Sequence, residues 1–141
     1  MLYGQKDLVI DDKGRLTLPS LFRNEFGSGN CYASLGLDKC ILIYTEESYK
    51  KYVDKILQLS EFDDIARRVQ RTFLSNSYPL QIDSHNRILL PKLLVNKTKA
   101  EKKVVVVGMY DHLEIWDSEA FAKNIAEGEA NYSSDAKSLI K

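Results

Sequence analysis

The amino-acid sequence predicts a β-rich α+β protein built from two pseudo-equivalent β-hairpin/α units. Three observations carry that expectation. Residues 8–23 superpose on residues 80–95 at an offset of 72, with seven identities in sixteen pairs (Leu, Ile, Asp, Arg, Leu, Pro, Leu), where ordinary composition gives about one. The same offset continues downstream, placing Gly36 on Gly108, Ile43 on Ile115, Tyr44 on Trp116, Glu47 on Glu119, Tyr49 on Phe121 and Lys51 on Lys123. Short apolar or alternating runs bounded by Gly, Asn and Asp recur in both copies, the pattern of strands joined by tight turns. Two copies at this wide spacing do not suit a solenoid and fit a single pseudo-symmetric domain. The chain then divides into a first repeat over 1–59, a connecting helix over 60–76, a second repeat over 77–128 and a tail over 129–141.

In chain order, Leu8-Val9-Ile10 and Leu16-Thr17-Leu18 read as strands, with Leu80-Gln81-Ile82 and Ile88-Leu89-Leu90 as their copies. Residues 20–26 carry helical spacing in Leu21, Phe22, Glu25 and Phe26, and Gly27-Ser28-Gly29 stops them; the counterpart is 92–96. Strands follow over 30–35 and 40–44 around a Gly36-Leu37-Asp38-Lys39 turn, and again over 103–107 and 112–116. Val104 to Val107 are β-branched throughout and apolar on both faces, which predicts an interior strand. Thr45 offers an N-cap for a helix with Tyr49, Tyr52, Val53 and Ile56 on one face. Its equivalent starts at Asp117-Ser118 and buries Phe121 and Ile125. Between the copies, the cap-like Ser60-Glu61-Phe62-Asp63 opens a helix running to about Ser75, with Phe62, Ile65, Val69 and Phe73 on one face and Arg67, Arg68 and Arg71 on the other. Asp63 and Asp64 stand four residues before Arg67 and Arg68, the spacing of surface ion pairs. The lysine-rich stretch 97–103 reads as a charged connection before a buried strand, and the polar tail from Asn131 as a segment that frays.

Composition bounds the function. Lys plus Arg equals Asp plus Glu at 20 each, so any nucleic-acid affinity has to come from local clusters of positive charge or from repetition of the subunit. Cys31 and Cys40, nine apart, lie in strand-like runs with no C-x-x-C and no second cluster, so they read as packing residues of a reduced protein rather than zinc ligands. There is no apolar leader and no membrane-length run, which predicts a cytoplasmic protein without a membrane partner. The two His and two Cys are scattered, and G-x-S-x-G, P-loop and H-E-x-x-H patterns are absent. No catalysis, small-molecule substrate, cofactor or metal is expected.

The residues that organise the chain are Asp11-Asp12-Lys13-Gly14-Arg15 and their copy Asp83-Ser84-His85-Asn86-Arg87. Gly14 and Asn86 are equivalent, and Gly and Asn are the residue types that most readily accept positive φ, so each stretch is a tight loop projecting from strands. Asp11 and Asp83 order these loops in one of two ways. Each either pairs with the Arg four residues on, or caps backbone N–H groups while the Arg points outward. Lys13 and Arg15 together make a basic finger suited to phosphates and guanine edges.

This D-x-x-x-R motif followed by Leu-Pro, present twice with a Gly36-Leu37 or Gly108-Met109 turn after each, resembles the MraZ family of bacterial transcriptional regulators, which carry two SpoVT/AbrB-type modules. The resemblance covers nearly the whole chain, from Met1-Leu2-Tyr3-Gly4 to the helix after Glu114-Ile115-Trp116. It departs from the usual pattern at Ser84-His85-Asn86, where a more Lys/Gly-like tip is usual. The resemblance implies an AbrB-like double-split β-barrel and DNA binding through Lys13, Gly14, Arg15, Asn86 and Arg87. It further implies a nucleoid-associated regulator of a division and cell-wall gene cluster, acting on double-stranded DNA with repeated operator sites as a homo-oligomeric ring. The alternative is an AbrB-like protein-binding module, of antitoxin or assembly type, that does not read DNA.

Overall fold

The computed structural model describes residues 1–140. Both copies run through the same order of elements. In the first, β1 (Gln5–Val9) and β2 (Arg15–Thr17) flank the Asp11 loop, and α1 (Ser20–Arg23) passes into one 3-10 turn (Asn24–Phe26). The hairpin of β3 (Asn30–Leu35) and β4 (Ile41–Thr45) follows, then α2 (Glu46–Leu57). After the connecting helix α3 (Asp64–Ser75) come β5 (Tyr78–Gln81), β6 (Arg87–Leu89), α4 (Lys92–Thr98), β7 (Lys103–Gly108), β8 (His112–Asp117) and α5 (Ser118–Ala130), and finally α6 (Tyr132–Leu139).

Six strands form one antiparallel sheet in the order β1-β7-β8-β4-β3-β5, and β2 pairs with β6 in a separate two-stranded ribbon. The first strand of each copy therefore pairs with the hairpin of the other copy: Leu8 lies opposite Val104, and Leu80 opposite Cys31. The two β-hairpin/α units are thus interlocked, and the strands flanking each loop do not pair with one another. Period-two alternation says which face of a strand is buried; it carries no information about which strand lies alongside.

The core lies between the inner face of the sheet and the ribbon. Leu16, Ile88, Ile43, Ile115, Leu94 and Leu113 are fully buried there, each contributing about 1.5–3 kcal/mol relative to exposure. Equivalent residues occupy equivalent places: Ile10 and Ile82, Leu18 and Leu90, Ile43 and Ile115, and Tyr44 and Trp116 are all buried. On the outer face Tyr44 packs against Tyr49 and Tyr52 of α2, and Trp116 against Phe121 of α5. β7 lies between β1 and β8, with Val104 and Val106 in the main core and Val105 beside Trp116 on the other side, as its β-branched run predicts. Thr45 caps α2 by accepting from the Ser48 amide, and Asp117 caps α5 by accepting from the Ala120 amide.

Several expectations give way to packing. α1 is only four residues long, so Phe22 and Phe26 are buried while Leu21 is exposed. β4 begins at Ile41, leaving Cys40 buried just before it. Both cysteines are free, and burial pushes each thiol up to about 12. Ile125 is exposed, since α5 touches the sheet mainly through its first turn. The tail is helical as α6, with no buried residue. α3 starts only at Asp64, so Phe62 falls in the turn before it and not on its face; within α3 the buried positions are Ala66 and Phe73, while Ile65 and Val69 are exposed, as Phe62 is. The apolar arc of that helix is wider than the chain itself covers.

Candidate nucleic-acid interface

Both loops are built alike. The Asp11 Oδ1 atom accepts from the amides of Lys13 and Arg15, each at 2.9 Å, and Oδ2 accepts from Arg15 Nε at 2.9 Å. In the copy, Asp83 Oδ1 accepts from the amides of His85 (2.8 Å) and Arg87 (2.9 Å), and Oδ2 from Arg87 Nε at 2.8 Å. The two arrangements left open by the sequence are thus realised together: each Asp caps backbone donors with one oxygen and holds its Arg with the other. Gly14 and Asn86 adopt φ of +81° and +63°, the left-handed conformation expected of both.

The carboxylates respond to these donors. Asp83 is lowered to about 2, chiefly by the Arg87 amide; desolvation opposes this, and the Arg87 side chain and the His85 amide reinforce it. Asp11 is lowered by the same set of contacts, led by the Arg15 amide. In each pair the Arg side chain remains 28% exposed. Only Nε is committed, so the terminal amino groups of Arg15 and Arg87 have no hydrogen-bond partner among the described residues. A guanidinium anchored at Nε and open at its outer edge is pre-organised for bidentate contact with an acceptor pair.

The ribbon joins the two loops into one unit. Arg15 lies opposite Leu89, Leu16 opposite Ile88, and Thr17 opposite Arg87. The middle pair faces inward and is fully buried, so the outer pairs share the other face. Each loop tip is also clasped by the other copy: the Leu90 amide donates to the Gly14 carbonyl at 3.0 Å, and the Leu18 amide to the Asn86 carbonyl at 2.8 Å. Arg15 and Arg87 are diagonal neighbours across this ribbon, a relation that places Cα atoms roughly 7–8 Å apart.

Lys13 and His85 occupy equivalent, exposed tip positions. The first tip therefore presents a lysine where the second presents a histidine, although Asp12 offsets Lys13 and the two five-residue stretches have the same formal net charge. Thr17 and Leu89 were not singled out from the sequence, although alternation about the buried Leu16 and Ile88 places them on the same outer face. The basic residues of α3 are spent locally in part. Arg68 lies 3.8 Å from Asp64, Arg67 donates to the Glu61 carbonyl, and Asp63 caps the Ile65 amide instead of pairing with Arg67. In the lysine-rich stretch, Lys97 donates to Asn76 Oδ1 at 2.6 Å. Among the described residues no group of three or more His, Cys, Asp or Glu side chains is placed to hold a metal ion, and no helix is long and apolar enough to cross a membrane.

Comparison with known proteins matches the sequence to one family. A family model described as "MraZ protein, putative antitoxin-like" matches the chain twice, over residues 1–72 and 73–141. The protein named Transcriptional regulator MraZ in Mesoplasma florum is 36% identical over 121 residues, covering 86% of this chain and 83% of its own. Its namesake in Cytophaga hutchinsonii is 30% identical over 140 residues (97% and 93%). That of Caldanaerobacter subterraneus subsp. tengcongensis is 32% identical over 139 residues (99% and 96%).

Proposed function

This chain belongs to the MraZ family, and on that footing we propose that it is a transcriptional regulator that binds double-stranded DNA sequence-specifically. Lys13, Gly14 and Arg15 read the major groove, with Asn86 and Arg87 adding a weaker second contact. The observation that carries this reading is the pair of Asp-anchored arginines, Arg15 and Arg87, set diagonally on the same face of one ribbon. Their diagonal spacing of roughly 7–8 Å matches about two base steps of about 3.4 Å, so both reach one stretch of groove. Arg is suited to the two acceptors of a guanine edge, and Gly14 lets the backbone approach phosphates closely.

The same reading extends to a double-split barrel of the AbrB kind, to a target in a division and cell-wall gene cluster, and to a cytoplasmic, nucleoid-associated protein acting as a homo-oligomeric ring on repeated sites. A formal net charge of +0 supports the oligomer, because one copy brings few positive groups to the DNA. A second reading, a protein-binding module of antitoxin type, is favoured by the exposed apolar side chains of Ile65 and Val69 on α3 and of Phe62 just before it and by the description of the family model. Footprinting on the DNA upstream of the protein's own gene separates the two. Protection by the wild-type protein that is lost in Arg15→Ala supports DNA reading; no protection at any concentration up to micromolar supports the protein-binding module.

A further inference from the structure

The ribbon brings to the same face two side chains that the arginine loops do not explain. Leu89 is 60% exposed and lies directly opposite Arg15, while Thr17, its equivalent in the first copy, is exposed and lies opposite Arg87. The clasps at Leu90 to Gly14 and Leu18 to Asn86 mark those flanking positions as hydrogen-bonded pairs of the ladder. By alternation the Arg15–Leu89 and Thr17–Arg87 pairs are the non-hydrogen-bonded ones, in which Cα atoms approach to about 4.5 Å and side chains lie closest. A Cβ added at Gly14 would sit 3.7 Å from Leu89 Cδ1, so the Leu89 side chain packs against the tip of the very loop that presents Arg15. Each anchored guanidinium therefore has a methyl-bearing neighbour: Leu89 beside Arg15, and Thr17 beside Arg87.

We infer that Leu89 and Thr17 are specificity-determining residues that contact the 5-methyl groups of thymines adjacent to the guanines taken by Arg15 and Arg87. This rests on the proposal that the ribbon faces the major groove. Thymine is the one base that presents a methyl group there, and its recognition is made by apolar contact from side chains such as the Thr methyl. A separation of about 4.5–5.5 Å between cross-strand Cβ atoms, against a rise of about 3.4 Å per base step, puts the methyl contact on the base pair next to the guanine. The operator unit that follows is a guanine with a neighbouring thymine, occurring twice at close spacing.

The test replaces, one at a time, each thymine in the footprinted DNA by deoxyuridine, which removes the 5-methyl group and nothing else. For the wild-type protein, substitution at a thymine beside an Arg15-dependent guanine should weaken binding about fourfold, the value of one buried methyl-sized group. Leu89→Ala should bind the unmodified DNA more weakly and be indifferent to that same substitution. Thr17→Ser, which keeps the hydroxyl and loses the methyl, should lose its response at the thymine beside the Arg87-dependent guanine. The inference is overturned if no deoxyuridine position weakens wild-type binding, a result that needs no variant to fold. It is equally overturned if Leu89→Ala and Thr17→Ser keep the wild-type response at every position. If Arg15→Ala abolishes binding while the deoxyuridine scan is flat, only this inference falls. If Arg15→Ala binds as wild type, the DNA-reading proposal itself falls.

Discussion

Leu16 and Ile88, 72 positions apart in the chain, face each other across the ribbon, and both are fully buried. An antiparallel pair of equivalent residues lies on a local two-fold axis, so the relation between the copies passes through this contact. The reciprocal clasps on either side, Leu90 to Gly14 and Leu18 to Asn86, obey the same symmetry. The shape of each loop is set by its own Asp, but the placement of the two loops relative to one another depends on this contact and its flanking clasps between the copies.

Truncating that contact should be costly. Leu16→Ala or Ile88→Ala removes side-chain volume from a site with no solvent access, which typically destabilises by about 2–5 kcal/mol. The two residues touch, so the double variant should lose less than the sum of the single losses. Chemical denaturation monitored by Trp116 fluorescence measures this. Single variants within about 0.5 kcal/mol of wild type would show that the ribbon does not couple the copies.

Much of this arrangement was legible in the sequence, and the limit was physical. The offset of 72 marks Ile43 and Ile115, and Tyr44 and Trp116, as matched interior positions, because burial leaves a residue-type signature that a repeat doubles. The left-handed turns at Gly14 and Asn86 and the caps at Thr45 and Asp117 were visible because each depends on one residue's own chemistry. The partners of β1 and β5 were not, since strand pairing between distant segments leaves no local trace. Nor was the exposure of Phe62, Ile65 and Val69: helical periodicity reports an apolar face whether or not the same chain covers it. The double role of Asp11 and Asp83 was open in the sequence because one carboxylate has two oxygens, and only the fold sets both to work.

Replacing Arg15 by Ala should cost about 1–3 kcal/mol of DNA binding if its free edge makes a bidentate base contact. Arg87→Ala should cost less, because its loop carries His85 where the first carries Lys13. Asp11→Ala should act differently, removing three hydrogen bonds and with them loop order, so that melting temperature falls as well as affinity. Electrophoretic mobility shifts paired with melting curves separate the effects. Unchanged affinity in a correctly folded Arg15→Ala protein would remove Arg15 from the interface.

Acid should remove the stability that the two loop carboxylates contribute. Asp83 is lowered to about 2 in the folded protein, against an ordinary value of about 3.9 in an unfolded chain, and Asp11 moves in the same direction. A depressed carboxylate contributes stability that is fully present above the unfolded value and is lost as pH falls through the folded one. The contribution should therefore fade from about pH 4 towards pH 2, and its size is limited by the partial exposure of both pairs. Urea midpoints of wild type should fall more steeply over that window than those of the Asp11→Asn, Asp83→Asn double variant. Parallel slopes would mean that the two carboxylates do not ionise as the loop geometry requires.

The chain holds 20 positive and 20 negative side chains, so on the proposed reading tight DNA binding is expected from repetition of the ribbon in addition to its local positive groups. Linking several ribbons in one assembly makes each further contact intramolecular, and such avidity raises binding by roughly 10²–10⁴ when the sites on DNA match the spacing of the loops. The two copies within the chain are related but not identical, so a contact between the first copy of one subunit and the second copy of the next is heterologous, and it closes into a ring when the rotation allows. Light scattering should therefore give a mass several times that of one chain at micromolar concentration. Affinity should rise steeply with the number of operator repeats, and each phosphate neutralised should add about 0.9 to the slope of log affinity against log salt. A monomer that binds a single half-site as tightly as an array would overturn the oligomer and leave the anchored arginines of one ribbon to account for all of the affinity.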